Sequence, residues 1–242
     1  MKKTKLIALM AMAAFGATSM SYAADADKSD SQPNLSPEGY WVQFDEDKDA
    51  GRGMPQGIIH TYVVNKDTKD ARGKNGTLQM EIVVPLMNVD AAGKPTKPRL
   101  TCHNCKDGSY NGFTYKGKNA NLQGLVFAGN MQKQSGTGVK GQKSDVYKNG
   151  GVINPNDGKV YASEAQVQDG GETMYAKAAY IVWGKELGSK DAHWKRISKA
   201  DYEKVKADCG VTSKGVYAND NSEVTAKCIN YPVGQFGVKS PV

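Results

Sequence analysis

The sequence predicts an all-β fold, an antiparallel barrel or sandwich of about eight or nine short strands with one short C-terminal α-helix. Segments rich in β-branched and aromatic residues recur along the chain between clusters of turn residues. Residues 77–84 alternate with a period of two, which is typical of a strand with one covered face. The residues predicted on that face are Leu78, Met80, Ile82 and Val84. A barrel or sandwich buries such faces and protects the strand edges.

A hairpin signal in residues 147–161 is the third observation behind this fold class. Two short strands flank a turn of sequence Asn-Pro-Asn-Asp-Gly, which ends at Gly158. Proline presets φ, and aspartate and glycine tolerate the left-handed backbone of tight turns. The segment therefore predicts a β-hairpin.

The first 23 residues predict a signal peptide rather than part of the fold. Three lysines precede an apolar run, residues 6–17, that is too short to span a bilayer, and a small-x-small cleavage site ends at Ala23. Cleavage removes three lysines and no acidic residue, so the formal charge falls from +7 to +4. The mature protein is expected to be exported, to the periplasm or outside the cell, without a transmembrane anchor.

The remaining chain divides into a disordered leader, a barrel domain and an extension. Residues 24–38 are polar and predict the leader, residues 39–197 the barrel, and residues 198–242 a helical, disulfide-tied extension. In the extension, Ser198 and Asp201 have the spacing of a capping box, which predicts a helix over residues 199–208.

Within the predicted barrel, strands and long loops alternate. Residues 88–121 are expected to form a long loop, and residues 132–145 a mobile one. The predicted strands are residues 39–44, 57–64, 77–84, 122–128, 147–153, 160–167, 173–183 and 193–197.

The four cysteines predict disulfide bonds, because the chain is expected to be exported. Four cysteines allow three pairings, and sequence proximity favours Cys102–Cys105 and Cys209–Cys228. Thiol redox chemistry at Cys102 and Cys105 is a weaker alternative, because no helix pattern follows the pair. A zinc site is weaker still, because three ligands in residues 102–105 are too crowded for tetrahedral geometry. We therefore predict no metal and no cofactor.

No catalytic motif is evident. The chain has three histidines, His60, His103 and His193, and no Gly-x-Ser-x-Gly nucleophile motif. Basic and acidic residues alternate through most loops, without the clustered basic and aromatic residues of a nucleic-acid-binding surface. We predict a protein that is not an enzyme and does not bind nucleic acid.

The hairpin segment resembles a bacterial exported family of unknown function whose structurally known member is a lipocalin-like β-barrel. The family segment Gly-Gly-x-Ile-x-Asp-Pro-x-x-Gly-Lys-x-Tyr is similar to residues 150–161 here. Gly39-x-Trp41 resembles its opening strand, Trp194-x-Arg196 its closing one, and the 102–105 cysteine pair a cysteine-bearing branch. The resemblance runs from Gly39 to about Arg196 and implies a lipocalin-like barrel, in which Trp41 and Arg196 would close one end.

Some positions depart from that family. Ala178-Ala179 stands where the family usually has Arg-Gly, and residues 188–193 replace a Gly-Arg-Thr-Gln-Thr run. No counterpart covers the region after Ile197. The resemblance implies a fold and transfers neither a ligand preference nor a biochemical activity.

The predicted function is binding of a small apolar or amphipathic ligand inside the barrel. An eight-stranded barrel is either just filled by side chains or holds one small ligand, and alanines and methionines on the inner faces favour a cavity. The alternative is a filled barrel that binds an envelope protein partner through its long loops. The predicted ligand-binding residues are Leu78, Met80, Ile82, Met174, Ala176, Ala178 and Tyr180.

Overall fold

A computed structural model describes residues 34–47, 52–86, 88–89, 94–96, 100–135, 144–211, 228–229 and 231–242. The predicted signal peptide and residues 24–33 of the predicted leader lie outside the described residues, as does most of the predicted mobile loop. Residues 34–38 of that leader are described, and carbonyl groups of Asn34, Ser36 and Glu38 accept hydrogen bonds from Arg196. The end of the leader is therefore held against the barrel rather than free of it.

The described residues form fourteen strands and one α-helix. In chain order these are β1 (Gly39–Phe44), β2 (Pro55–Val63), β3 (Leu78–Pro85), β4 (Asn88–Val89), β5 (Pro95–Thr96), β6 (Thr101–Cys102), β7 (Gly108–Tyr110), β8 (Phe113–Tyr115), β9 (Ala120–Asn121), β10 (Leu125–Gln134), β11 (Val146–Ile153), β12 (Val160–Gln168), β13 (Thr173–Val182), β14 (Lys185–Ile197) and α1 (Lys199–Asp208).

Eight of these strands close a barrel in the order β1-β2-β3-β10-β11-β12-β13-β14, and every neighbouring pair is antiparallel. Closure comes from β1, which pairs with β14 on one side, with Trp41 opposite Arg196, and with β2 on the other. The predicted antiparallel barrel with one α-helix is confirmed among the described residues. A closed barrel leaves no unpaired sheet edge.

Several predicted elements are confirmed and others are longer than predicted. The hairpin of β11 and β12 turns at residues 154–159, where Gly158 adopts φ +72°. Helix α1 spans the predicted residues, and the side chains of Ser198 and Asp201 form the predicted capping box. By contrast, β10 extends to Gln134 and β14 begins at Lys185, eight residues before the predicted start. The early part of β14 was missed because its residues are mostly polar and exposed.

The predicted loop over residues 88–121 contains short strands. They form three two-stranded pairs, β4 with β5, β6 with β9, and β7 with β8. The β7–β8 hairpin packs against the barrel, and its side chains of Phe113 and Tyr115 are buried in the main core cluster. Cross-strand pairing and this burial explain why so long a connection is ordered where it is described.

Two clusters of buried apolar residues lie on the two faces of the barrel wall. The larger cluster is inside and includes Trp41, Ile59, Leu78, Met80, Phe127, Met174 and Trp194. The smaller lies outside, beneath α1 and the C-terminal segment, and includes Val42, Ile58, Val84, Val205 and Tyr231. Alternation along β1 and β2 sends Trp41 and Ile59 inward and their neighbours Val42 and Ile58 outward.

The prediction that Val84 shares a face with Leu78 and Met80 is wrong. The pairing of β2 with β3 is irregular between Ile58 and Ile59, where β3 contributes one extra residue, Val83. A β-bulge of this kind reverses the alternation of side chains beyond it. Val84 therefore packs in the outer cluster.

Candidate ligand cavity

The barrel encloses a cavity of about 410 Å³. Its lining comes from all eight barrel strands, from the residues that follow β1 and from the turn between β11 and β12. The volume lies within the range of pockets that hold small molecules in other proteins. Apolar side chains of Met80, Phe127, Met131, Ala176 and Trp194 are among those that line it.

The structure places four of the seven predicted ligand-binding residues on the cavity wall: Met80, Ala176, Ala178 and Tyr180. The other three, Leu78, Ile82 and Met174, belong to or pack against the same inner cluster but do not line the cavity. Tyr180 lies at the open end, 53% exposed, with its ring edge-on to that of Tyr161 at 6.3 Å between centroids. The two alanines leave the space that larger residues on β13 would fill.

The other lining residues were not predicted as ligand contacts, and they include the large apolar side chains of Phe127, Met131 and Trp194. Phe127 and Trp194 lie with their ring centroids 6.2 Å apart, although they come from β10 and β14. Phe127 fell within a predicted strand that is apolar almost throughout, so alternation could not distinguish an inner face. Trp194 was noted as part of the strand that resembles the family's closing one. Alternation along β10 could not have identified Phe127 and Met131, because the pairing of β10 with β3 shifts register twice and the adjacent residues Phe127 and Ala128 both line the cavity.

The open end of the cavity is polar and carries more acidic than basic residues. Lining carboxylates are Asp45, Glu46, Asp47, Glu164 and Asp191, and the lining cations are Lys177 and Lys190. Lys190 is paired with Asp47 at 2.7 Å and Lys177 with Glu186 at 2.8 Å, and the lining Glu164 is paired with Lys148 at 3.1 Å, so acidic groups remain in excess. The potential at this end is therefore negative for an approaching ligand.

Two other side chains at the open end hold fixed hydrogen bonds. Glu46 accepts from the His193 backbone N–H, and its Oε2 lies 3.1 Å from His193 Nδ1. The Tyr161 hydroxyl donates to Asp157, and this hydrogen bond raises the pKa of Tyr161 to about 12. Tyr161 is therefore a neutral phenol at physiological pH.

Arg196 and Trp41 lie opposite each other on β14 and β1, eight residues along β14 from Gly188, which is opposite Tyr180. The Arg196 guanidinium is 4.0 Å from the centre of the Trp41 ring, which is fully buried. The indole N–H of Trp41 donates to Thr61 Oγ1 at 2.9 Å. The two residues are therefore in contact, apart from the cavity lining, and their role in closing one end of the barrel stays a prediction.

The cysteines form the two expected pairs, Cys102 with Cys105 and Cys209 with Cys228, with Cα–Cα distances of 5.3 and 5.4 Å. Cys102 and Cys105 are 0% and 2% exposed and lie against the β11–β12 turn. A redox-active pair needs a thiol that is accessible and stabilised as a thiolate. This burial gives neither cysteine that access.

His60 faces outward from β2, within a row of aromatic rings. It stacks on Tyr40 at 4.6 Å between centroids and is tilted against Tyr62 at 4.9 Å, while Tyr40 stacks on Tyr202 of α1 at 4.1 Å. Burial lowers the pKa of His60. His60 thus supports the contact between α1 and the barrel and is remote from the cavity lining.

Comparison with known proteins adds a likeness in structure. No protein-family model matches the chain, and no curated protein matches it in sequence. The solved structure of protein HP1028 from the human pathogen Helicobacter pylori, which belongs to the lipocalin family, is similar over 71% of this chain and 90% of that one, with 17% identity and a TM-score of 0.44. Within the part of the chain that is described, no helix has the length and apolar character to cross a membrane. The fold itself rests on the strand pairing described above.

Proposed function

We propose that this protein binds a small apolar or amphipathic molecule inside its barrel and carries out no catalysis. The observation that supports this most directly is the cavity of about 410 Å³ within a closed barrel, lined by Met80, Phe127, Met131 and Trp194. Burial of apolar ligand surface contributes about 25 cal/mol per Å², so such a wall favours apolar molecules. The methionines adapt to ligands of different shape.

We also propose that the protein acts outside the cytoplasm. Its support is the signal-peptide pattern of residues 1–23 together with two disulfide bonds, which persist in oxidising compartments. A test is N-terminal sequencing of protein from the periplasm and medium of the native host. A chain that starts near Ala24 supports export, and a chain found intact in the cytoplasm contradicts it.

The decisive experiment is the recovery of a ligand from protein purified from its own host. Native mass spectrometry, followed by organic extraction, should reveal a co-purifying small molecule at about one per chain. Uptake of the uncharged fluorescent probe N-phenyl-1-naphthylamine should then occur after extraction and be prevented by returning the extract. A protein that carries nothing and takes up no probe would show that the barrel is not a binding site.

The alternative, a partner protein bound through the long loops, has less support. In the connection between β3 and β10, Phe113 and Tyr115 are buried against the barrel and are not available to a partner. The open end of the cavity remains accessible, since Tyr180 is half exposed there.

A further inference from the structure

Two polar side chains in the cavity wall have no hydrogen-bond partner. Among the described residues, Ser163 Oγ and Trp194 Nε1 are both buried without a partner, and both residues line the cavity. Ser163 is 7% exposed and Trp194 3% exposed. A buried polar group that is left unsatisfied costs about 1–3 kcal/mol, so such groups in a native protein call for an explanation.

The two groups lie at different depths of the cavity. Ser163 is opposite Ala178 of β13, and Trp194 is opposite Met174 of the same strand. Those two β13 residues are four positions apart, which is about 13 Å along a strand. Ser163 lies nearer the open end, because Tyr180 is two residues beyond Ala178, whereas Trp194 is two residues from Arg196, which lies over Trp41.

The surroundings of Trp194 are mostly apolar. Its opposite residue is Met174, its ring is 6.2 Å from that of Phe127, and Ala176, two positions along β13 from Met174, also lines the cavity. The polar lining residue in β1 is Gln43, one position beyond the Val42–Lys195 pair. A buried water needs two to four polar partners. An acceptor atom on an otherwise apolar molecule satisfies the indole N–H without needing further partners.

The charge at the open end restricts the ligand further. Five carboxylates line the cavity against two lysines. Ion pairs join Lys190 to Asp47, Lys177 to Glu186 and Lys148 to Glu164, and the balance of charge over these groups remains negative. A carboxylate or phosphate on the ligand would meet this negative potential and would lose its hydration on entry. An uncharged molecule meets neither cost.

Resting on the binding function proposed above, we infer that the cavity takes an uncharged amphipathic molecule with a hydrogen-bond acceptor at its buried end. Trp194 Nε1 donates to that acceptor, which is a ketone, ester or amide oxygen. Ser163 holds a second polar group of the ligand nearer the open end. The ligand therefore enters with a polar end leading, and it is not a hydrocarbon or a fatty-acid anion.

Three probes of nearly equal shape test this inference: 2-acetylnaphthalene, 2-ethylnaphthalene and 2-naphthoate. The first has an acceptor oxygen, the second has none, and the third has acceptors and a negative charge. Each displaces N-phenyl-1-naphthylamine, and the displacement gives its affinity. We expect 2-acetylnaphthalene to bind about tenfold more tightly than either of the others, which is the size of one hydrogen bond to a buried group.

Two variants assign the acceptor contact to a residue. Trp194→Phe keeps an aromatic ring and removes the N–H, and it should weaken 2-acetylnaphthalene about tenfold while leaving 2-ethylnaphthalene unchanged. Trp183→Phe is the control, because Trp183 is 98% exposed. Three results would overturn the inference and leave cavity binding intact. The first is equal affinity for all three probes, and the second is tightest binding of the anion 2-naphthoate. The third is a Trp194→Phe protein that binds both neutral probes with wild-type affinity. Failure of every probe to bind would remove the binding function itself.

Ser163→Ala adds a measurement that needs no ligand. If Ser163 Oγ has no partner in the free protein, its removal should leave the melting temperature unchanged or raise it. A fall of several degrees would show that the hydroxyl is already satisfied by protein or water, and would overturn its assignment to the ligand.

Discussion

At the scale of single residues, Arg196 contacts several segments of the chain that are distant in sequence, and no sequence pattern predicted these contacts. Its guanidinium donates to backbone carbonyls of Gly171, Glu38, Asn34 and Ser36, at distances from 2.5 to 3.2 Å. The same group lies over the Trp41 ring at 4.0 Å. A planar group with five donors can make all these contacts at once, and an ammonium cannot.

Replacing Arg196 by lysine should therefore destabilise the protein in spite of the retained charge. We expect the free energy of unfolding to fall by about 2 kcal/mol, since hydrogen bonds made by a charged group are worth about 1.5–3 kcal/mol. Urea unfolding followed by fluorescence measures it, with Lys185→Arg on the exposed start of β14 as the control. A change below about 0.5 kcal/mol, the range of ordinary surface substitutions, would contradict the importance given to these contacts.

Gly151, in the hairpin motif, is required by close packing against a neighbouring segment and not by the geometry of a turn. It lies inside β11, and a Cβ at this position would come within 2.7 Å of the Phe113 ring. Phe113 is fully buried and belongs to the β7–β8 hairpin, which is distant in sequence. The glycine is required because two segments meet there.

Gly151→Ala should cost about 1–3 kcal/mol of unfolding free energy, because the added methyl group overpacks the contact with Phe113. Gly188→Ala is a matched control, since a Cβ at Gly188 would meet nothing within 4 Å. Equilibrium unfolding in urea compares the two variants with the wild type. Equal stability of both variants would mean that Phe113 of the β7–β8 hairpin is not closely packed against β11 at Gly151.

At the scale of elements, α1 is attached to the barrel by packing rather than by its own amphipathic pattern. Val205 is the buried residue of the helix, and Tyr202 stacks on Tyr40 of β1. The row of rings continues to His60 and Tyr62 on β2. The capping box was predictable from two residues, whereas this row depends on three elements that tertiary structure brings together.

The stack makes stability depend on pH through His60. Burial lowers the pKa of His60, with the Glu38 carboxylate opposing this shift. The unfolded chain therefore binds more protons than the folded protein between the folded pKa and about 6.5, and stability falls as pH is lowered through that window. Burial raises the pKa of Glu81, the residue opposite His60. The folded protein therefore binds a proton at Glu81 more readily than the unfolded chain does, and this contribution to stability increases as the pH is lowered into the mildly acidic range.

His60→Phe should reduce the loss of stability on acidification while keeping an aromatic ring in the stack. Unfolding free energies measured in urea at pH 7.5 and 5.0 give the loss for each protein. The wild type should lose more than His60→Phe, and His103→Gln, at an exposed position in the first cysteine loop, should behave as the wild type does. A greater loss in His60→Phe would reverse the sign argued here.

At the scale of the whole molecule, the cavity is a product of barrel closure. Its wall combines residues from β3, β10, β13 and β14, which no local pattern relates to one another. Small residues on β13 leave the volume open, and the Trp41–Arg196 contact lies on the strand pair that closes the barrel. Eight strands can equally enclose a filled core, so the choice of side chains decides between the two.

Filling the cavity should abolish binding without unfolding the protein. Ala176→Phe places a ring in the space, and we expect the affinity for N-phenyl-1-naphthylamine to fall at least tenfold, with circular dichroism unchanged. Ala207→Phe on the exposed side of α1 makes the same substitution away from the cavity and should bind as the wild type does. Retained binding in a folded Ala176→Phe protein would place the probe elsewhere.

Local patterns were enough to predict an antiparallel barrel or sandwich, the β11–β12 hairpin and the bounds of α1, and sequence proximity favoured the cysteine pairs. Each depends on residues close in sequence: turn residues, a period of two, or cap spacing. The choice of a barrel over a sandwich came from the family resemblance. Four predicted ligand-binding residues, Met80, Ala176, Ala178 and Tyr180, line the cavity because alternation identifies an inner face, and their contact with a ligand stays a prediction.

Tertiary structure alone decided which inner residues border empty space. The bulge at Val83 moved Val84 outward, and the unpredicted extension of β10 includes Met131. Phe127 and Trp194 lie in predicted strands, and barrel closure brought them to the cavity. The same holds for the missing partners of Ser163 and Trp194. A cavity and an unsatisfied group are defined by what is absent around a side chain, and this depends on every strand that surrounds it. A sequence specifies the strands one at a time, and only their closure into a barrel determines the space between them.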